Sequence, residues 1–289
     1  MLSDAGSIPA ASTRLALNDM VKNKKALARA AALALLLLAA ALAAAGPAAQ
    51  VPPQDPAGAR DAQRIKTVVV DPGHGGIEAG AKGKFGNLEK DITLAIALKL
   101  KALIERDMAF QVVMTRDRDI DVSIENRSAI ANNRKADVFI SIHANGALQK
   151  KAQGSETFFL SLNATDEETR RLAYLENNSS ELGSRIDPSS DDDLMMILWD
   201  MAQTAYIRES SRLAETVQNE LNALLGTRNR GIKQAPFKVL AGVACPAILV
   251  EAAFLSNPEE EKRLATEEFQ TGVAEAIYRG LARYLRSAS

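Results

Sequence analysis

Val68-Val-Val-Asp-Pro-Gly-His74-Gly-Gly76 is the stretch on which the fold turns. A β-branched run reads as a buried strand, and Pro72 with three glycines reads as the turn that ends it. The same plan recurs in Val138-Phe-Ile-Ser-Ile-His143-Ala-Asn145 and in Ala247-Ile-Leu-Val-Glu251. Between these runs lie helical patterns. Ile92, Ile96, Leu100, Leu103 and Ile104 recur at spacings of three and four, and Phe269, Val273, Ile277, Leu281 and Leu285 form one face of a last helix over 267–286. Strands alternating with helices predict an α/β fold: a single domain with a mixed, largely parallel twisted sheet flanked by helices. The strand candidates are 66–70, 110–115, 138–142, 156–160, 237–240 and 247–251. Asn87 is placed to cap the helix after the glycine-rich loop, and Ser123 to cap another running to about Lys135.

One stretch breaks the rhythm. Residues 163–200 are polar and acidic, and a long helical pattern follows over about 193–225. We read 163–205 as an insertion between sheet strands. Its composition suits a lid or binding segment and a solvated excursion equally.

The N-terminal fifty residues are of another kind. Lys22, Lys24, Lys25 and Arg29 precede an uncharged Ala/Leu run from Ala30 to Ala45, which ends in small residues such as Ala43-Ala-Ala45. A basic region, an apolar region and a small-residue site make a cleavable secretory signal, and the run is short beside the roughly 20 apolar residues of a membrane span. Residues 1–45 are therefore expected to be extension and signal peptide, 46–64 a Pro/Ala-rich linker, and 65–289 the catalytic domain. No stable membrane span is expected after cleavage. Residues 1–19 fit no part of a signal, which makes Met20 a second candidate start beside Met1.

Of 289 residues, 47% are hydrophobic and 25% charged, enough for a full core, and the net charge is −1. That charge gives no general pull toward nucleic acid, and an aromatic content of 4% supplies few stacking platforms for single strands. The lone Cys245 excludes a disulfide within the chain and reads as a small core residue.

The chain has two histidines, His74 and His143, both placed at strand ends. In an α/β sheet such ends gather along one edge, where ligands bind. Glu89, fifteen residues beyond His74, opens the next helix, where the macrodipole favours an ionised carboxylate. Two His and a carboxylate suit a zinc ion that keeps an open position. The glycine-rich turn lacks both the Gly-Lys-Ser/Thr and the Gly-x-Gly-x-x-Gly arrangements of phosphate loops. Glu251 ends the most apolar run, where it is either salt-bridged or a general base. With Zn2+ on His74, Glu89 and His143 and a proton shuttled by Glu251, the group suits amide hydrolysis.

The chain also resembles the zinc-dependent N-acetylmuramoyl-L-alanine amidases of the Amidase_3 type. The likeness rests on Val70-Asp-Pro-Gly-His74-Gly-Gly76, Leu88-Glu-Lys-Asp-Ile-Thr-Leu-Ala95, Met114-Thr-Arg-Asp-Arg-Asp119, Asn126-Arg-Ser-Ala-Ile-Ala-Asn132, Ala136-Asp-Val-Phe-Ile-Ser-Ile-His143, Lys233-Gln-Ala-Pro-Phe-Lys-Val-Leu240 and Ile248-Leu-Val-Glu251 with the residues to Asn257. The resemblance implies cleavage of the bond between muramic acid and L-alanine in peptidoglycan, with His74, Glu89 and His143 as zinc ligands and Glu251 as catalytic glutamate. Arg116, Arg127 and Asn132 match motif positions and read as structural. It further implies that the insertion resembles the regulatory helical segment of cell-division amidases, relieved by an envelope activator protein. Glu176, or one of Asp166, Glu167 and Glu168, is then the candidate to occupy the open zinc position. The expected location is periplasmic or otherwise exported. Two other readings share these residues: a zinc peptidase of different specificity, and a catalytically silent envelope-binding or activator protein.

Overall fold

The computed structural model describes residues 66–147, 151–178, 193–226 and 228–287, with 193–205 described by backbone alone. The expected signal, the linker, both candidate start residues and part of the insertion (179–192) lie outside the described residues.

Six strands form one sheet in the order β2-β1-β3-β6-β4-β5. They are β1 (Thr67–Pro72), β2 (Gln111–Met114), β3 (Val138–Asn145), β4 (Ser155–Leu160), β5 (Asn229–Ala235) and β6 (Ala247–Phe254). Four of the five neighbouring pairs are parallel, and one reversal divides them: β4 runs antiparallel to β6. The sheet is thus mixed and largely parallel, as the alternating pattern predicts.

The strand period of two sorts the side chains onto two faces. Val68, Val70, Ile140, Ile142, Ile248 and Val250 point to one face. There they meet α1 (Glu89–Asp107), α4 (Asp193–Leu225) and α7 (Glu267–Ser287) through Ile96, Leu100, Leu213, Val217, Val273 and Ile277. Gly280 of α7 lets the α4 backbone come close, since a Cβ there would sit 2.5 Å from Val217 Cα. Val69, Phe139, Phe158 and Leu249 point to the other face, covered by α2 (Ile124–Asn133), α3 (Glu167–Asn177) and the short α5 (Lys238–Ala241). A final short helix, α6 (Pro258–Leu264), is capped by Asn257, whose side chain accepts from the Glu259 and Glu260 amides.

Two local expectations are corrected. The run 237–240 is not a strand: it is the turn into α5, and β5 lies before it at Asn229–Ala235. Five apolar or amphipathic residues after Pro236 satisfy a strand or a helical turn alike, and only packing chooses. Asn87 is not the N-cap of α1. That position is Leu88, with no side-chain cap, while Asn87 Nδ2 donates to Glu261 Oε1 at 3.0 Å. Ser123 does cap α2, accepting from the Asn126 amide.

Candidate metal centre

The site lies on the α2/α3 face, toward the carboxyl ends of β1, β3 and β6. His143 and Glu251 lie inside their strands rather than beyond them, and they are register partners. Glu156 on β4 is the partner of Glu251 on its other side. His143, Glu251 and Glu156 therefore form a row across three adjacent strands, spaced by the roughly 5 Å of neighbouring strands. The ladder between β3 and β6 shifts register just after His143, a bulge of the kind that re-aims side chains near sites.

His74 reaches the same place from the loop after β1. Its φ is 59°, a left-handed conformation uncommon for a non-glycine residue. Two buried arginines hold that turn by its carbonyls. Arg116 donates to Pro72 O at 3.0 Å and Gly73 O at 2.7 Å. Arg127 donates to Pro72 O and His74 O, both at 2.7 Å. Arg127 is itself paired with buried Asp71, at 2.7 Å. Asn132 ties α2 to the turn before β6, donating to Gly242 O and accepting from the Ala244 amide. These three side chains build the frame, as the sequence reading has them.

Glu89 comes from the first turn of α1. Its oxygens accept from the Ala81 amide at 2.7 Å and the Ala144 amide at 2.9 Å, which fixes the carboxylate plane. Glu89 Oε2 stands 3.2 Å from His74 Nε2, and Oε1 stands 3.1 Å from His143 Nδ1. A fourth group closes the set. Glu176, on the last turn of α3, brings Oε2 to 3.4 Å from His74 Nε2 and 3.2 Å from His143 Nδ1. The ligand atoms of His74, Glu89, His143 and Glu176 all lie within 4.8 Å of one another.

This set fits a metal ion. Tetrahedral zinc with bonds of about 2.0–2.1 Å sets its donors roughly 3.3 Å apart, matching the 3.1–3.4 Å separations between imidazoles and carboxylates. Both ring nitrogens of His74 are buried without a hydrogen-bond partner, as an imidazole built to ligate would leave one of them. The Gly73 carbonyl is held by Thr93, and a Cβ at Gly73 would meet the His143 ring at 2.4 Å, so glycine there makes room for the ligand.

Charge follows from this crowding. Burial lowers the His74 pKa, but Glu89 and Glu176 outweigh it and raise it to about 9. Burial acts against ionised Glu89, yet the two imidazoles hold it well below the usual carboxylate range. Burial pushes Glu176 up, with the imidazoles opposing and Glu89 and Glu78 adding. Glu251 is pushed well above the ordinary value by burial, then by Glu89, Glu176 and Glu156. It is wholly buried and neither oxygen has a hydrogen-bond partner. Of the two readings open in the sequence, the salt bridge is absent among the described residues.

The acidic candidates of the insertion separate cleanly. Asp166, Glu167 and Glu168 do not approach the cluster. Asp166 caps α3, Glu167 pairs with Arg170, and Glu168 pairs with Arg230. They sit at the opposite end of the helix from Glu176. Sequence reading also passed over Asp71, Glu156, Arg230 and Lys233. Only Asp71 lies in a segment that reading had singled out around a histidine. Cys245 is buried in the core, away from the cluster.

Fold and site together define a mixed α/β protein with an imidazole–carboxylate centre of metal-ligand composition and a buried, unpaired carboxyl beside it. Residues 68–283 match the Amidase_3 family, described as N-acetylmuramoyl-L-alanine amidase, and the chain belongs to that family. It is 39% identical over 239 residues to the amidase AmiC of Escherichia coli O6:H1, covering 82% of this chain and 57% of that one. With AmiA of Escherichia coli K12 it shares 36% over 220 residues, 76% of each. The chain thus spans somewhat over half of the first relative and three quarters of the second. Among solved structures, the CwlD amidase of Clostridioides difficile in complex with the GerS lipoprotein superposes with a TM-score of 0.58 at 30% identity, covering 77% of this chain and 99% of that one.

Proposed function

We propose that this chain is an exported, zinc-dependent amidase that hydrolyses the bond between N-acetylmuramic acid and L-alanine in peptidoglycan, serving cell-wall remodelling or daughter-cell separation. The observation that carries the reading is the approach of His74, Glu89 and His143 to one point, beside a carboxyl with no partner. Zinc at that point would polarise the scissile carbonyl and bring the pKa of a bound water toward neutrality.

The chain's own residues do the rest. Arg116 and Arg127 hold the His74 turn, and Glu89 is oriented by two backbone amides, so the ligands are set before any ion arrives. Glu251, with its raised pKa, takes a proton from the attacking water and returns it to the leaving amine, a task suited to a carboxyl that titrates nearer neutrality. Glu176 stands where the fourth ligand, and hence the open position, would be. In this state α3 covers the site and the enzyme is held off. An envelope partner that draws α3 away would switch it on; the CwlD amidase is a relative whose structure was solved in complex with a lipoprotein. The domain plan follows: residues 1–45 export the chain, 46–64 link, and 65–289 carry the catalysis, with the insertion over about 163–205 as its control.

Digestion of purified sacculi tests the reading, with mass analysis of what is released and metal analysis of the protein. Wild type should bind one zinc and release stem peptides with a free L-Ala amino terminus. Glu251→Gln should keep the metal and lose activity by about 10²–10⁴-fold. Cleavage of simple dipeptides in place of the muramyl bond would point to a peptidase, and a metal-loaded Glu176→Ala chain inert on both would point to a binding role.

A further inference from the structure

A cationic pair beside the catalytic row has no part in the account above. Arg230 and Lys233 of β5 both hold Glu156. Arg230 Nε donates to its Oε2 at 2.9 Å, and Lys233 Nζ lies 3.0 Å from the same oxygen. The other oxygen of Glu156 accepts from Asn145 Nδ2 at 3.0 Å. Glu156 is 1% exposed and is the cross-strand partner of Glu251. The pair therefore sits two strands beyond the base, across β4, on the same face of the sheet.

Both cations also reach outward to the start of α3. Arg230 Nη2 donates to Glu168 Oε2 at 2.9 Å, and Lys233 Nζ lies 3.2 Å from Asp166 Oδ2. The two basic side chains are 14% and 11% exposed, whereas Glu168 and Asp166 are 55% and 43% exposed. The anions are thus the replaceable half. Arg230 and Lys233 carry two positive charges and Glu156 one negative, so one positive charge remains for α3 to cover. Removing α3 would leave that charge half-desolvated and unpaired, which is costly. Beside it, a cavity of about 260 Å³ lies between Asn145, Gly146 and Glu156 on one side and Glu168, Leu172 and Leu175 on the other.

We propose that Arg230 and Lys233 form an anion subsite that takes a free carboxylate of the stem peptide once α3 has left, and that Asp166 and Glu168 fill this subsite in the closed state. The proposal rests on the amidase reading. The carboxylate belongs to the peptide side of the cut, because the muramic carboxyl is consumed in the amide and the N-acetylated sugars are neutral. Glu251 hands its proton to the leaving amine, so the peptide begins beside the base, and the cations of β5 lie on the same sheet face within the reach of its next residues. On this account α3 imitates substrate at two points: Glu176 at the ligand cluster, and its acidic first turn at the cations.

Two soluble muramyl peptides decide it, identical except that the residue after L-alanine carries either a free α-carboxylate or a carboxamide. With Glu176→Ala, which frees the centre, kcat/KM for the carboxylate peptide should exceed that for the carboxamide by about tenfold, mainly through KM, the size expected of one charge-assisted contact. Adding Lys233→Met should bring that ratio to about one, with circular dichroism and zinc content certifying the fold, while Lys233→Arg should keep the preference. In the otherwise wild-type chain, Asp166→Asn with Glu168→Gln should raise the basal rate on the carboxylate peptide. An unchanged ratio in Lys233→Met, or an equal loss on both peptides, overturns the subsite while leaving the amidase intact. Failure of the Glu176→Ala enzyme to cut either peptide overturns the amidase reading and the subsite with it.

Discussion

Asp71 shows how much of this site is framework. It is wholly buried, accepts from the Thr115 and Ser141 hydroxyls, and pairs with Arg127. Burial acts to raise its pKa, but Arg127 and the two hydroxyls outweigh it and hold the value below 3.8. A carboxyl with a depressed folded-state pKa contributes stability that is complete above the unfolded value and is lost as pH falls through the folded one. Asp71→Asn should therefore cost about 3–5 kcal/mol at neutral pH, the cost of orphaning a buried partner, and the gap to wild type should narrow as pH drops below 3.8. Urea denaturation across pH reads this directly. A constant gap at all pH values would mean that Asp71 acts through packing alone. Gly73 sets a second residue-scale constraint. An added Cβ would lie 2.4 Å from His143 Cε1, inside any tolerable contact. Gly73→Ala should leave the fold in place by circular dichroism and weaken zinc binding at least tenfold in a competition titration.

Among the elements, α3 is the one held mainly by polar contacts. It is pinned at both ends of its length. Asn177 donates to Pro236 O at 2.8 Å and accepts from the Lys238 amide, beside the Glu176 contacts with the imidazoles. Its middle buries only Thr169, Leu172 and Ala173, a narrow apolar seam for a helix of 11 residues. Polar pins with a thin seam make a helix that can be released without unfolding the core. Glu176→Ala removes one pin and should raise basal hydrolysis by about ten- to a hundredfold, the worth of a buried charged contact. Assay on soluble muramyl peptides without any activator measures it. A folded variant with unchanged basal activity would remove α3 from regulation. The edge strand β5 explains its own escape from sequence reading. Asn-Arg-Gly-Ile-Lys-Gln-Ala has neither alternation nor an apolar run, and it forms because β4 offers it a parallel partner.

For the molecule as a whole, the α1/α4/α7 layer supplies the apolar core and the opposite face carries the chemistry. Ligands come from a loop, a helix and a strand that are 15 to 69 residues apart, so a bound ion would cross-link elements that unfold together. Zinc should raise the melting temperature of the metal-free protein, by the equivalent of about 2.7 kcal/mol at a hundredfold excess over Kd. Chelation should reverse it. Scanning calorimetry of the Glu89→Gln variant gives the control, because its melting should not respond to zinc.

The sequence by itself determined the α/β class, the core stripes and the gathering of His74, Glu89, His143 and Glu251. The first two are periodic; the third follows from strand ends sharing an edge and, for Glu89, from the short loop that joins the His74 turn to the next helix. It also singled out the insertion as unlike its surroundings. Tertiary structure alone decided that Glu176, rather than Asp166, Glu167 or Glu168, meets the imidazoles, because helix phase and docking angle set which carboxylate arrives. It also decided that Asn87 serves Glu261, and that Glu156 stands opposite Glu251 between two cations. Those pairings join residues up to 174 positions apart, and no local pattern records a partner that only strand register and helix packing bring near.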